Sequence, residues 1–147
     1  MKNLKEYLVA LDFHCIKLKK TITNHFELKV KINNIKGRFI LDTGASNSCV
    51  GFDQVELFHL DTQESEHKAS GAGTTEIETK ISKKNNLKIG GYQLKKTSLI
   101  LIDLMHINNA LAKQNAEPIQ GIIGADILHK AEAIIDYKKK YLFLKSK

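Results

Sequence analysis

The sequence predicts a mostly β single domain, a closed barrel with a few short helices. Three observations support this fold class. The chain has 147 residues, a length that suits one domain able to bury roughly two-thirds of its unfolded surface. Short apolar or alternating runs recur along the chain and are separated by polar turns. Helical spacing of apolar residues is confined to a few short segments, so the strands dominate.

The first predicted element is an amphipathic helix near the N-terminus. Apolar residues recur at positions i, i+3, i+4 and i+7 from Leu4 to Leu11, which places them on one helical face. Asn3 can cap this helix, with Glu6 as its capping-box partner. We therefore divide the chain into an N-terminal helical extension, residues 1–14, and a main domain, residues 15–147. Further short helices are predicted at 53–60, 104–111 and 125–129.

Predicted strands contain β-branched and aromatic residues, in continuous apolar runs or alternating with lysines. Phe26–Ile32 and Arg38–Leu41 form a hairpin through the predicted turn Asn33–Gly37. Ala133–Ile135 and Tyr141–Leu144 form a closing hairpin. The remaining predicted strands are 15–18, 76–83, 87–89, 97–102 and 119–123, with a turn at 90–91 and a polar surface loop at 61–68.

The composition is that of an ordinary soluble protein, with 42% hydrophobic and 27% charged residues and a net charge of +7. Basic proteins can bind nucleic acid, but many of the lysines alternate with apolar residues, as on the solvated face of a strand. Arg38 is the only arginine, and the sequence has no nucleic-acid-binding signature. We therefore expect no nucleic acid partner.

The two cysteines, Cys15 and Cys49, lie in largely apolar segments without metal-ligand spacing. We expect free buried thiols, which weakly favour the reducing cytoplasm. No run approaches the ~18 apolar residues of a membrane span. The first residues, Met1–Tyr7, lack the apolar core of a secretory signal. A cytoplasmic location with no membrane partner is the expectation.

The most informative segment is Phe39-Ile40-Leu41-Asp42-Thr43-Gly44-Ala45-Ser46. An apolar strand ends here in a tight turn that carries one carboxylate, Asp42. Gly44 allows a sharp bend and a close backbone approach, and the hydroxyls of Thr43 and Ser46 can bond to neighbouring backbone. An ordinary Asx-type turn after a strand is the alternative explanation for this segment alone.

This octet resembles the catalytic loop of aspartic peptidases, and three later segments extend the resemblance. Gly121-Ile122-Ile123-Gly124-Ala125-Asp126-Ile127-Leu128 is similar to the apolar-apolar-Gly strand and short helix that support the loop in single-domain, retropepsin-like peptidases. The glycine-rich segment 69–74 lies where that family has its flap, and the closing hairpin resembles that of bacterial-type members. The motifs occur in the family's order and cover roughly residues 15 to 145.

The resemblance implies a role for each matching residue. Asp42 would be the catalytic acid and base, supported by the loop residues Thr43, Gly44, Ala45 and Ser46. The flap and substrate-binding residues would be Ser70, Gly71, Ala72 and Gly73. Structural support would come from Ile123, Gly124 and Asp126, the last accepting hydrogen bonds near the loop. No cofactor and no metal site is implied.

A carboxylate count predicts a homodimer. Peptide hydrolysis by this chemistry needs two carboxylates that share one proton. The chain carries a single Asp-Thr-Gly, since Asp61-Thr62-Gln63 lacks the glycine. A two-fold dimer would supply Asp42 twice.

The sequence thus predicts a homodimeric aspartic endopeptidase that acts on protein or peptide substrates. Two alternatives remain at this stage. The first is a peptide-binding or scaffolding module on the same fold, with catalysis absent or latent. The second is nucleic-acid binding through the lysine-rich surface.

Overall fold

Strands make up most of the secondary structure in the described part of the chain. The computed structural model describes residues 3–64, 69–70, 76–77 and 79–146, with backbone alone at 64, 69–70 and 76–77. The elements in chain order are α1 (Leu4–Ala10), β1 (Phe13–Lys17), β2 (Lys19–Lys20), β3 (Phe26–Ile32), β4 (Ile35–Leu41), β5 (Cys49–Gly51), a 3-10 turn (Phe52–Gln54), β6 (Thr62–Glu64), β7 (Ala69–Ser70), β8 (Glu76–Ile77), β9 (Lys80–Ile89), β10 (Tyr92–Ile102), α2 (Met105–Lys113), β11 (Gly121–Ile123), α3 (Ala125–Lys130), β12 (Ile134–Asp136) and β13 (Tyr141–Lys145).

Six of these strands close into a barrel in the order β3-β4-β11-β5-β10-β9. The barrel closes because β9 pairs back to β3, with Lys31 opposite Lys88 and Ile32 opposite Leu87. Strands β2 and β6 flank the barrel, and β1, β13 and β12 form a separate three-stranded sheet. The predicted fold class, a mostly β closed barrel with a few short helices, is confirmed.

In strand β3 of the β3–β4 hairpin, the alternation of apolar and polar residues in the sequence matches the alternation of buried and exposed side chains. Phe26, Leu28, Val30 and Ile32 are buried, whereas the intervening lysines are exposed. Ile32 pairs with Ile35, so only Asn33 and Asn34 form the turn, with φ of 50° and 70°. Asparagine tolerates this left-handed conformation. The predicted five-residue turn was therefore wrong, because residues 35–37 already belong to β4.

Strand β9 is also longer than predicted. The polar residues in its middle suggested two strands, but β9 is continuous from Lys80 to Ile89. Asn85 is buried within it and donates to the Ser82 carbonyl (3.2 Å) and hydroxyl (3.0 Å). These local hydrogen bonds allow a polar side chain inside a strand. Strand β6 likewise occupies residues predicted to be a loop, because it pairs with β9.

Helices α1, α2 and α3 and the final hairpin lie where the sequence predicts them. The helix predicted at 53–60 was wrong, because this segment forms only a 3-10 turn, Phe52–Gln54, followed by turns in which His59 adopts a positive φ of 55°. Asn3 caps α1, since its side chain accepts from the Glu6 backbone N–H at 2.8 Å. Strands β12 and β13 form the predicted closing hairpin. Strand β1 runs across the predicted boundary between residues 14 and 15, and that division stays a prediction. None of the helices in the described ranges is long and apolar enough to cross a membrane.

Strand β4 lies between two groups of buried side chains. Phe39 and Leu41 belong to the main core inside the barrel. Ile40 points to the opposite face and packs in a smaller cluster with Leu111 of α2 and Ile122 of β11. Because residues on both sides of β4 are buried, the end of this strand is held in position from two directions.

Truncation of Phe58 tests how much the main core contributes to stability. Phe58 is fully buried, and its ring centroid lies 6.3 Å from that of Phe39. We expect Phe58→Ala to lower the free energy of unfolding by about 3–5 kcal/mol, because truncation leaves a cavity. Leu57→Ala, at a side chain 46% exposed, should change it by no more than about 0.5 kcal/mol. Urea denaturation measures both, and equal effects would contradict this description of the core.

Candidate functional site

Asp42 stands directly after β4, where the neighbouring strand fixes its backbone. Strand β11 runs parallel to β4, with Leu41 opposite Ile123. The Asp42 backbone N–H donates to the Ile123 carbonyl at 3.0 Å. On its other side β11 pairs antiparallel with β5, which follows the loop. The loop from Asp42 to Ser48 therefore starts and ends on strands that share one partner.

Inside the loop, the Asp42 carboxylate forms a tight local turn. Its Oδ1 accepts from the Gly44 backbone N–H at 2.9 Å, and the Asp42 carbonyl accepts from the Ala45 N–H at 3.2 Å. Asp42, Thr43 and Gly44 are exposed in the single chain. Among the described residues the second carboxylate oxygen of Asp42 accepts no protein hydrogen bond. Within the described ranges, one oxygen is therefore positioned by the loop while the other is open to a ligand or a second chain.

A polar network under the loop joins it to α3. Ser48, fully buried, donates its hydroxyl to Asp126 Oδ1 at 2.7 Å and accepts from the Gly124 N–H at 2.9 Å. Asp126 Oδ1 also accepts from the backbone N–H groups of Ser48 (2.9 Å) and Ile127 (2.8 Å). These contacts are those of a positioning group. The supporting role that the resemblance implies for Asp126 nevertheless stays a prediction.

The role of Ser48 is not predicted by the local sequence. The available signal was a serine placed between the motif and the apolar strand Cys49–Gly51. Its importance depends on residues more than seventy positions away, which a local pattern does not contain.

Glycine is required where β11 and the loop approach each other. A Cβ at Gly124 would lie 2.6 Å from the Ala45 carbonyl oxygen, and one at Gly121 would lie 2.4 Å from that of Cys49. Both contacts are with backbone, which cannot move aside easily. The short distance also lets the Ala125 N–H donate to the Ala45 carbonyl at 2.7 Å. The two glycines of this segment thus permit the bonds that hold the loop.

Cys49 lies under the same loop but lacks the character of a nucleophile. Burial, followed by the nearby carboxylates of Asp126 and Asp42, raises the pKa of its thiol to about 11. The thiol is therefore neutral near pH 7, and only the thiolate attacks. Cys15 is half-buried, and both cysteines are free thiols, as expected. Within the described ranges, no three His, Cys, Asp or Glu side chains cluster as metal ligands.

An apolar depression of about 220 Å³ adjoins Asp42. Ile40 of β4 and Ile122 of β11 form one wall, and Ile107 and Leu111 of α2 form another. The lining of the depression places a carboxylate beside a surface that can bind an apolar side chain.

The predicted flap is described only at its base. Ala69 pairs with Ile77 and Ser70 with Glu76 in an antiparallel ladder. The predicted flap residues Gly71, Ala72 and Gly73 lie outside the described residues. The other predicted site residues, from Asp42 to Ser46 with Ile123, Gly124 and Asp126, are brought together by β4, β11 and α3. Their functional roles stay predictions.

Comparisons with known proteins agree with this geometry. The family model described as "Aspartyl protease" matches residues 28–127. No curated protein sequence matches the chain. A retropepsin-like aspartic protease from Rickettsia conorii is similar in structure, with a TM-score of 0.64, 19% identity, and coverage of 89% of this chain and 98% of that chain.

Two further solved structures are similar. The EIAV protease in complex with an inhibitor has a TM-score of 0.58 and 20% identity, covering 80% of this chain and 98% of that chain. The retroviral protease-like domain of Ddi1 from Leishmania major has a TM-score of 0.53 and 17% identity, covering 82% and 88%. At such identities the likeness shows the fold, and the predicted retropepsin-like fold is confirmed.

The Ser48 network provides a test of how the loop is held. Ser48→Ala removes one donor from Asp126 and leaves the buried Gly124 N–H without its acceptor. We expect the free energy of unfolding to fall by about 1–3 kcal/mol, because an unsatisfied buried donor carries its desolvation penalty. Ser46→Ala, at an exposed serine of the same loop, is the matched control. Chemical denaturation of both variants is the measurement, and a Ser48→Ala variant as stable as the control would refute the role of the network.

Proposed function

The chain belongs to the aspartyl protease family, and on this premise we propose that it is an endopeptidase whose catalytic dyad is formed by Asp42 from each subunit of a homodimer. The proposal rests on how Asp42 is both held in position and exposed. Its backbone and one carboxylate oxygen are fixed by hydrogen bonds, while the side chain is exposed in the single chain. A second copy of the loop could therefore approach it.

The dyad would act through a shared proton. Two carboxylates a few ångströms apart cannot both ionise, so their pKa values split and belong to the pair. The ionised Asp42 would activate a water, and the protonated Asp42 of the partner would polarise the scissile carbonyl. The exposed Thr43, next to Asp42 in the chain, is proposed to join the two loops, and Gly44, Ala45 and Ser46 to shape the loop.

Other aspartates are poorly placed to complete the dyad within one chain. The Oδ1 of Asp126 already accepts three hydrogen bonds, from Ser48 and Ile127. Asp136 lies in the closing hairpin, where its Oδ1 accepts from the Lys139 N–H at 3.0 Å. Strand β12, which carries Asp136, belongs to the separate three-stranded sheet. These contacts support a dyad built from two chains.

The surroundings of Asp42 support a peptide substrate. The apolar depression beside it suits an apolar side chain next to the cleaved bond. The antiparallel pairing of β7 with β8 is consistent with the hairpin base that the predicted flap requires. The two free cysteines support a reducing compartment such as the cytoplasm.

Asp42→Asn tests the assignment of the chemistry. The change is nearly isosteric but removes the ionisable group, so kcat/KM on a generic peptide library should fall by at least about 10²-fold. Asp61→Asn, at the exposed aspartate of the Asp-Thr pair without glycine, is the matched control and should retain activity. A folded Asp42→Asn variant with full turnover would end the assignment. Wild type that binds peptides but cleaves none would favour the peptide-binding alternative.

Subunit mixing tests the dimer. If each active site takes one Asp42 from each chain, excess Asp42→Asn protein should lower wild-type activity through mixed dimers. Excess Asp61→Asn protein should not. The mixtures are incubated until subunits have exchanged, and rate per chain is also measured on dilution. Constant specific activity in a strictly monomeric protein would contradict the proposal and point to a second acid within the chain.

A further inference from the structure

A wide basic groove lies where the chain crosses from the three-stranded sheet into the barrel. The groove has a volume of about 830 Å³ and is lined by the cationic residues Lys17, Lys19, Lys20, Lys29, Arg38 and Lys140. All five lysines are exposed. Glu27 is the one acidic residue in the lining, which leaves five more cations than carboxylates.

The fold assembles this groove from segments far apart in the sequence. Between β1 and β2 the buried Leu18 donates its backbone N–H to the Lys140 carbonyl at 2.9 Å. This bond brings the turn of the closing hairpin beside the lysines at 17, 19 and 20. Strands β3 and β4 supply the rest of the lining, with Lys29 opposite Arg38. The concentration of charge is therefore a property of the folded chain.

The basic groove is continuous with the site at Asp42. Arg38, Ile40 and Asp42 alternate along β4 and its end and so share one face. Arg38 lines both the basic groove and a second depression of about 360 Å³. Ile40 and Ile119 line that second depression and also the apolar depression that contains Asp42. At about 3.3 Å per residue, the path from Asp42 to Arg38 is about 13 Å long.

Protection of sheet edges does not explain all the cations of the groove. Lysines on an edge strand discourage pairing with other chains, and β2, with Lys19 and Lys20, is an edge strand. Arg38, however, lies on β4 between β3 and β11, where its carbonyl accepts from the Gln120 N–H. Lys140 lies in a turn. The convergence of all these cations on one groove thus needs another explanation.

The lining favours carboxylates over nucleic acid. It contains no aromatic side chain on which a base could stack. Arg38, the residue suited to bidentate phosphate contacts, is already paired with Glu27 (2.6 Å) and Glu117 (3.4 Å). Flexible exposed lysines remain, and these can pair with the carboxylates of an extended acidic peptide.

We propose that the basic groove binds acidic residues of the peptide substrate, about four to six positions from the cleaved bond, since an extended peptide also advances about 3.3 Å per residue. This inference rests on the proposed function, because it takes Asp42 as the point of cleavage. It assigns a substrate class to the enzyme: polypeptides with an apolar cleavage site and acidic flanking segments.

The test compares two peptides with the same apolar centre. One carries glutamates at the fourth to sixth positions on both sides, and the other carries glutamines there. For wild type, kcat/KM should be about fivefold or more higher for the acidic peptide, and the ratio should fall at 0.5 M salt because charge pairing is screened. The groove variant is Lys17→Gln, Lys19→Gln, Lys20→Gln. The charge-matched control changes three exposed lysines outside the groove: Lys83→Gln, Lys88→Gln, Lys95→Gln.

In the groove variant, the ratio of kcat/KM for the acidic peptide to kcat/KM for the glutamine peptide should fall close to one. In the charge-matched control, this ratio should stay close to its wild-type value. Equal cleavage of both peptides by wild type would overturn the inference. An equal loss in both triple variants would also overturn it, because the effect would then come from overall charge.

A binding measurement separates this inference from the proposed function. Fluorescence anisotropy of the labelled acidic peptide is measured with Asp42→Asn protein, alone and combined with each lysine triple. We expect tighter binding of the acidic peptide than of the glutamine peptide, and a loss of that difference only with the groove variant. If this binding difference is found but wild type cleaves neither peptide, the proposed endopeptidase activity is overturned, and the groove remains a binding site for acidic peptides. Stronger groove-dependent binding of a random DNA duplex than of the acidic peptide would overturn the assignment to peptides.

Discussion

The insertion of β11 between β4 and β5 is the constraint on which the rest of the structure depends. Strand β11 is parallel to β4 and antiparallel to β5. The two ends of the Asp42 loop are therefore anchored on one strand. The insertion requires glycine at both ends of the strand, because a Cβ at Gly121 or Gly124 would collide with backbone oxygens. It also completes the barrel, since without β11 the β3–β4 hairpin has no link to β5.

This anchoring explains how an exposed carboxylate can still be well positioned. The Asp42 loop is held mainly by backbone groups of β11 and α3 and by the Ser48–Asp126 network beneath it. None of these contacts uses the open oxygen of Asp42. The oxygen that positions Asp42 is thus not the oxygen that is left open, and a group that is held without being covered can meet a second molecule at little further cost in conformational entropy.

The distribution of charge follows the same geometry. Along β4 the residues that share a face with Asp42 change from apolar Ile40 to cationic Arg38, and the lysines of three other segments lie beyond it. Buried residues on the opposite face of the strand prevent it from rotating. One rigid strand therefore relates the Asp42 carboxylate, the apolar depression and the basic groove at fixed spacing.

Local features of the sequence determined the Asn3 cap, the β3–β4 and closing hairpins, and the loop with Asp42, because each depends on neighbours within a few residues. Motif order was enough to place β11 and α3 beside that loop. Tertiary structure alone decided the continuity of β9, the role of Ser48 and the basic groove. In each case the deciding contact joins residues that local periodicity does not relate: β6 and β3 extend the pairing of β9, Asp126 and Gly124 satisfy Ser48, and the Leu18–Lys140 bond gathers lysines that are scattered in the sequence.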